Sequence, residues 1–160
     1  MPATSALVRA AAASMPPITT EVSVTLPVAA AEAFEVFADA GETPRWLRVV
    51  QAAHVLDRGA DGRPRTVSFR AAFDRATLGY VVRYHYHLES LTVRWTTRPT
   101  SALRVEGEAR FTALSARASL MTYRLGLELP VSQEWLEDHY DGHAASAVVG
   151  DFREHLRRFA

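Results

Sequence analysis

Between Leu78 and Leu88 the chain alternates without a break: Tyr80, Val82, Tyr84, Tyr86 and Leu88 fall on one side of an extended strand, with Arg83, His85 and His87, and then Glu89, on the other. Such a strand has one face to bury and one to wet, so a sheet built from it needs a second layer. The same two-residue period recurs along the chain. Val22, Val24 and Leu26 share a face before Pro27; Val49 to Leu56 reads as a second strand; Val67, Phe69, Ala71 and Phe73 form a third row. After the 78–88 run come Val93, Trp95 and Thr97, then Leu103, Val105, Gly107, Ala109 and Phe111, and finally Met121, Tyr123, Leu125, Leu127 and Leu129. The breaks are short: Asp57 to Gly62, Asp74 to Thr77, Pro99-Thr100-Ser101 and Ser115-Ala116, closed by Pro130. Strands joined so tightly pair antiparallel.

Two stretches follow a helical period instead. From Val28 to Phe37, the residues Val28, Ala33, Phe34 and Phe37 face one way and Glu32 and Glu35 the other, until Asp39-Ala40-Gly41 stops the run. Thr43-Pro44 starts a second short helix whose buried residues are Trp46 and Leu47. At the C-terminus, Leu136, Tyr140, Ala144, Ala147, Val148, Phe152, Leu156 and Phe159 sustain one apolar stripe, with Ser132 as its N-cap and Glu134 near the positive end of the helix dipole. Gly142 and Gly150 interrupt this helix, which predicts close packing or a bend there. The expected fold is therefore α+β: about seven antiparallel strands curved around one long C-terminal helix, with two short helices after the first strand.

At 160 residues the chain fits one domain, taken as residues 18–160, behind an Ala- and Ser-rich leader from Met1 to Pro17 that reads as flexible. Thr4, Ser5, Arg9 and Ser14 interrupt any secretory apolar run in that leader, whose lack of acidic residues leaves a transit-like reading open. No segment offers the roughly 18 apolar residues of a transmembrane helix, so stable membrane insertion is not expected and a cytoplasmic location is the default. The 18 basic and 18 acidic residues cancel, which removes the overall field that would draw nucleic acid. Every basic residue is Arg, so lysine Schiff-base chemistry is excluded, and the absence of Cys excludes thiolate nucleophiles and zinc–thiolate sites.

His85 and His87 share a strand face that can present two nitrogens to a metal, but Arg83 and Glu89 share it too, with Arg94, Arg104, Glu106 and Glu108 in phase on neighbouring segments. That pattern reads as a solvated outer surface with cross-strand ion pairs, and no metal is expected. His139 and His143 are four apart, yet the Glu that should follow the first His of a zinc-protease helix is missing. Either imidazole can serve as a general base at a cavity mouth. Asp57 and Asp61 are turn residues, and no nucleophile elbow, phosphate loop or dinucleotide fingerprint occurs.

Taken in order, the run from Glu21 through Pro27 to Asp39, the Thr43-Pro-Arg-Trp-Leu47 segment, Val93-Arg-Trp95, Val105-Glu-Gly107 and Met121-Thr-Tyr123 resemble the START/polyketide-cyclase-like superfamily, also called SRPBCC or birch-pollen-allergen-like, over roughly Ile18 to Phe159. The resemblance implies a helix-grip fold with a deep cavity between sheet and C-terminal helix, holding lipids, polyketides, quinones, steroids or hormone-like molecules. Trp46, Phe69, Tyr84, Tyr86, Trp95, Phe111, Tyr123, Tyr140 and His143 are then the candidate ligand-binding residues. The alternative is that these aromatics simply fill the core.

Three functions follow from these readings. The first is a carrier or sensor for an apolar or amphipathic small molecule, a monomer or homodimer with no cofactor. The second is a cyclase or aromatase-like enzyme, free of metal and nucleotide, in which Tyr84, Tyr86, Tyr123 or His143 assists proton transfer. The third is a protein-interaction module using a sheet edge or the helix surface, for which no exposed apolar stripe speaks.

Overall fold

In a computed structural model, residues 18–73, 76–101, 103–128 and 143–160 are described. They form seven strands, β1 (Ile18–Leu26), β2 (Val50–Arg58), β3 (Pro64–Phe73), β4 (Ala76–His87), β5 (Thr92–Thr97), β6 (Arg104–Ser115) and β7 (Ala118–Glu128). Helix α1 (Ala30–Ala38) and a 3-10 helix (Ala40–Arg45) lie between β1 and β2, and α2 (His143–Arg157) closes the chain. The strands make one sheet in the order β1-β7-β6-β5-β4-β3-β2, every neighbour antiparallel.

This order has a consequence for the cover. Since β1 and β2 sit at opposite edges, the chain between them must cross a face of the sheet, and the apolar side of α1 makes that the inner face. Helix α1 packs on β5, β6 and β7, the 3-10 helix on β2 and β3, and α2 on β1 and β7. The layer over the sheet is thus shared among three elements, where the sequence pattern alone assigned it to the terminal helix.

The tyrosine side of β4 faces inward: Tyr84 and Val82 are buried, while His85 and His87 are exposed. Glu108 on the outer face is approached by Arg94 of β5 and Arg124 of β7 at 3.3 and 3.2 Å, the cross-strand ion pairs that the outward phase predicted, and by Arg110 of its own strand at 3.6 Å. Gly107 faces inward opposite Trp95 in the β5–β6 register. A Cβ there would stand 2.1 Å from Cζ2 of Trp95, so only glycine lets the indole lie across β6.

Several local expectations are corrected. Strand β4 ends at His87 and the chain turns, leaving Leu88 51% exposed rather than in the inward row. Pro44 lies inside the 3-10 helix instead of opening a helix, and Trp46 follows that helix with its backbone N–H donated to the Thr43 carbonyl at 3.1 Å. The buried stripe of α2 is Ala145, Val148, Val149, Phe152 and Leu156, and Phe159 is exposed beyond the helix end. Gly150 faces open space, with nothing within 4 Å of a Cβ built on it, so no close packing explains it. Ser132, Leu136 and Gly142 lie outside the described residues.

Candidate functional site

A cavity of about 280 Å³ lies between the inner face of the sheet, the Thr43–Val50 segment and the start of α2. Its sheet wall is built by alternation: Phe69 and Ala71 from β3, Tyr80, Val82 and Tyr84 from β4, Trp95 from β5, Val105 from β6, and Tyr123, Leu125 and Leu127 from β7. Phe37 bounds it from α1, and Ala144, Ala147, Val148 and Asp151 from α2. The short Ala side chains of α2 leave open what Phe152, one to two turns further on, fills.

Three phenols stand in this wall, and no described residue forms a hydrogen bond with the hydroxyl of Tyr80, Tyr84 or Tyr123. Burial away from water disfavours the phenolate, which raises all three: Tyr80 to about 12, Tyr123 further, and Tyr84 well above the ordinary phenol value. They are neutral donors across the physiological range. The indole N–H of Trp46 is also buried without a partner. The Thr43 hydroxyl, by contrast, is satisfied, donating to the Ala40 carbonyl at 2.8 Å. Asp151 is the cavity's only carboxylate among the described residues, and Arg48 engages it twice, through the backbone N–H at 3.1 Å and the guanidinium at 3.6 Å.

A second depression, of about 350 Å³, opens on the outer face over Gly126. Its walls include Arg94, Glu108 and Arg124, already paired with one another, and it is the more open and polar of the two. The enclosed apolar cavity is the better ligand site.

The model of a family described as polyketide cyclase / dehydrase and lipid transport matches residues 17–160. The chain belongs to this family. No curated protein matches the sequence. Among solved structures, a START superfamily protein from Mycobacterium smegmatis is similar at 14% identity and a TM-score of 0.77, covering 89% of this chain and 99% of that one. An aromatase/cyclase from a Streptomyces species is similar at 14% identity and a TM-score of 0.72, over 88% and 94% of the two chains. A STAR-related lipid transfer protein from Xanthomonas axonopodis is similar at 19% identity and a TM-score of 0.70, over 86% and 84%. Likeness at these identities establishes the fold, a START-like sheet with a C-terminal helix, and leaves the ligand to the residues.

In this polyketide cyclase / dehydrase and lipid transport family member, Trp46, Phe69, Tyr84, Trp95 and Tyr123 come together around the cavity. Two other candidates stand elsewhere. Phe111 packs into the filled core, 6.3 Å from the ring of Phe34, 5.8 Å from Phe37 and 6.1 Å from Phe152. Tyr86 stacks on Tyr84 with ring centroids 6.2 Å apart, meets the edge of Phe34, and donates its hydroxyl to the Pro64 carbonyl. Both are displaced from the cavity because α1 delivers Phe34 and Phe37 to their end of the sheet. Tyr140 and the side chain of His143 lie outside the described residues.

Lining residues absent from the sequence-based set include Tyr80, Phe37, Leu125, Leu127, Val148 and Asp151. Tyr80 was within reach, since it shares the phase of Tyr84; Asp151 was not, because it sits on the polar flank of the α2 stripe. No helix among the described residues is long and apolar enough to cross a membrane.

Proposed function

We propose that the protein binds an apolar or amphipathic small molecule in the cavity, as a carrier or sensor. The observation that carries this reading is the unfilled volume itself. At the ~24 cal/mol per Å³ found for sealed cavities left by core truncation, a space of 280 Å³ held dry and empty would cost up to about 7 kcal/mol, and solvent at its mouth lowers that figure. That rivals the whole stability of a typical domain, about 5–15 kcal/mol, and larger side chains at Ala71, Val105 or Ala147 would remove it. A cavity kept open against that cost, walled by Trp and Tyr rings, fits a bound ligand better than a folding requirement. Native mass spectrometry of the purified protein tests it: the expected result is a retained small molecule, lost on filling the space with Ala71→Phe. An unliganded protein whose melting temperature no lipid, quinone or polyketide-like compound raises would end the reading.

A cyclase-like activity is the second reading, favoured by the hydroxyls of Tyr84 and Tyr123, which have no hydrogen-bond partner among the described residues. Their raised pKa values suit them to hand a hydrogen bond or proton to a ligand oxygen and unsuit them as bases at neutral pH. The cavity would supply positioning and acid assistance for an enolisation or dehydration. Turnover of a polyketide-like substrate unchanged in Tyr84→Phe and Tyr123→Phe would remove these roles.

A further inference from the structure

We infer that the cavity selects an uncharged, planar ligand bearing acceptor oxygens, of the quinone or aromatic-ketone class, and discriminates against carboxylates such as fatty acids. The inference deepens the proposed binding role and rests on it. It starts from what the walls can and cannot offer. The Trp46 indole nitrogen can only donate, and it is buried with no partner. The hydroxyls of Tyr84 and Tyr123 donate no hydrogen bond to a described residue and are held neutral, so each has a proton to give. A ligand oxygen can accept from the two phenols, whereas a bare hydrocarbon leaves both unmet.

What the described walls lack is a cation. No Arg lines the cavity among the described residues, and the chain contains no Lys. Residues 129–142, which join β7 to α2, add no Arg either: they carry Glu134, Glu137, Asp138 and Asp141, with His139 their only basic side chain. Arg48 is committed to Asp151, itself negative. A carboxylate entering this space loses its hydration, finds no cation among the described lining residues and meets the like charge of Asp151, so it binds more weakly than an uncharged acceptor. Shape adds the planar preference. Trp95 lies between Tyr84 and Tyr123, with ring centroids 6.2 and 5.6 Å away and interplanar angles of 40° and 35°, a continuous aromatic wall.

The test compares three probes of one bicyclic body, naphthalene, 1,4-naphthoquinone and 2-naphthoate, titrated into the full-length ¹⁵N-labelled protein at pH 7.5 and followed by amide and indole resonances. The quinone is a clean probe here because the chain has neither Cys nor Lys to form adducts. The expected order is naphthoquinone at least ~10-fold tighter than naphthalene, and naphthoate at least ~10-fold weaker than naphthalene. In Tyr84→Phe and Tyr123→Phe the quinone-to-naphthalene affinity ratio falls, each by several-fold. Naphthoate binding as tightly as the quinone, or a quinone no tighter than naphthalene, overturns the selectivity while leaving a binding cavity intact. Failure of all three probes to bind overturns the binding role and the selectivity with it.

Discussion

The inner face of the sheet has two ends built from the same kinds of residue and used in opposite ways. At one end Phe34, Phe37, Phe111 and Phe152 close on one another, with every ring pair among Phe37, Phe111 and Phe152 within 6.1 Å. At the other, Phe69, Tyr80, Tyr84, Trp95 and Tyr123 surround unfilled space. Tyr84 and Tyr86 make the contrast within one strand: two residues apart on one face, the first hydroxyl has no partner among the described residues and the second donates to Pro64. An aromatic residue on an alternating strand therefore says nothing about cavity or core. What decides is whether the facing layer delivers a side chain to meet it.

The largest effect expected from this contrast is alkaline unfolding. Burial raises the pKa of Tyr80 to about 12, pushes Tyr86 and Tyr123 higher still and lifts Tyr84 well above its ordinary value, against about 10 in the unfolded chain. The folded state then holds protons that the unfolded state releases, so the stability these phenols contribute is complete below pH 10 and lost as pH rises toward 12 and beyond. Absorbance at the phenolate band should rise together with loss of circular dichroism, in one transition. Phenols of the hollow end ionising well before unfolding would mean that water fills the cavity and the contrast is weaker than drawn.

Next in size is Phe111→Ala at the packed end, expected to cost about 3–5 kcal/mol in denaturant unfolding. Phe69→Ala at the hollow end should cost less than half as much, because its ring already borders open space. Equal losses would break the distinction. Gly107→Ala drives a methyl into the Trp95 indole and should cost about 1–3 kcal/mol, with a change in near-ultraviolet dichroism as the ring moves. The smallest expected effect separates the two tyrosines: Tyr86→Phe should lose about 1 kcal/mol with its hydrogen bond, and Tyr84→Phe close to nothing. Urea titrations of the two variants side by side measure it, and a costlier Tyr84→Phe would place an unrecognised partner on that hydroxyl.

Much of this protein was legible before its structure. The period of two exposed each strand, and the inward side of every one but β2, because side chains on a pleated backbone alternate whatever the tertiary context, and the row containing Tyr84 and Trp95 was read in the correct phase. Strand ends were less legible: Leu88 matches the alternation but falls after the last ladder pair of β4, Tyr86 and His87 with Val93 and Thr92. The α2 stripe was displaced by a residue in places, with Ala145 and Val149 buried and Ala147 left exposed at the cavity. Alanine fits either face of a helix, so its presence carries little phase information.

By itself, then, the sequence determined an antiparallel sheet with an aromatic inner face, a C-terminal amphipathic helix, and the exclusion of lysine and thiol chemistry. Only the tertiary structure decided which of the inward rings enclose a space and which fill one. Periodicity reports the direction of a side chain from its own backbone, a local property. Whether that side chain meets a partner depends on the crossing of α1 from one sheet edge to the other, fixed by strand order rather than by any residue of the strands it covers.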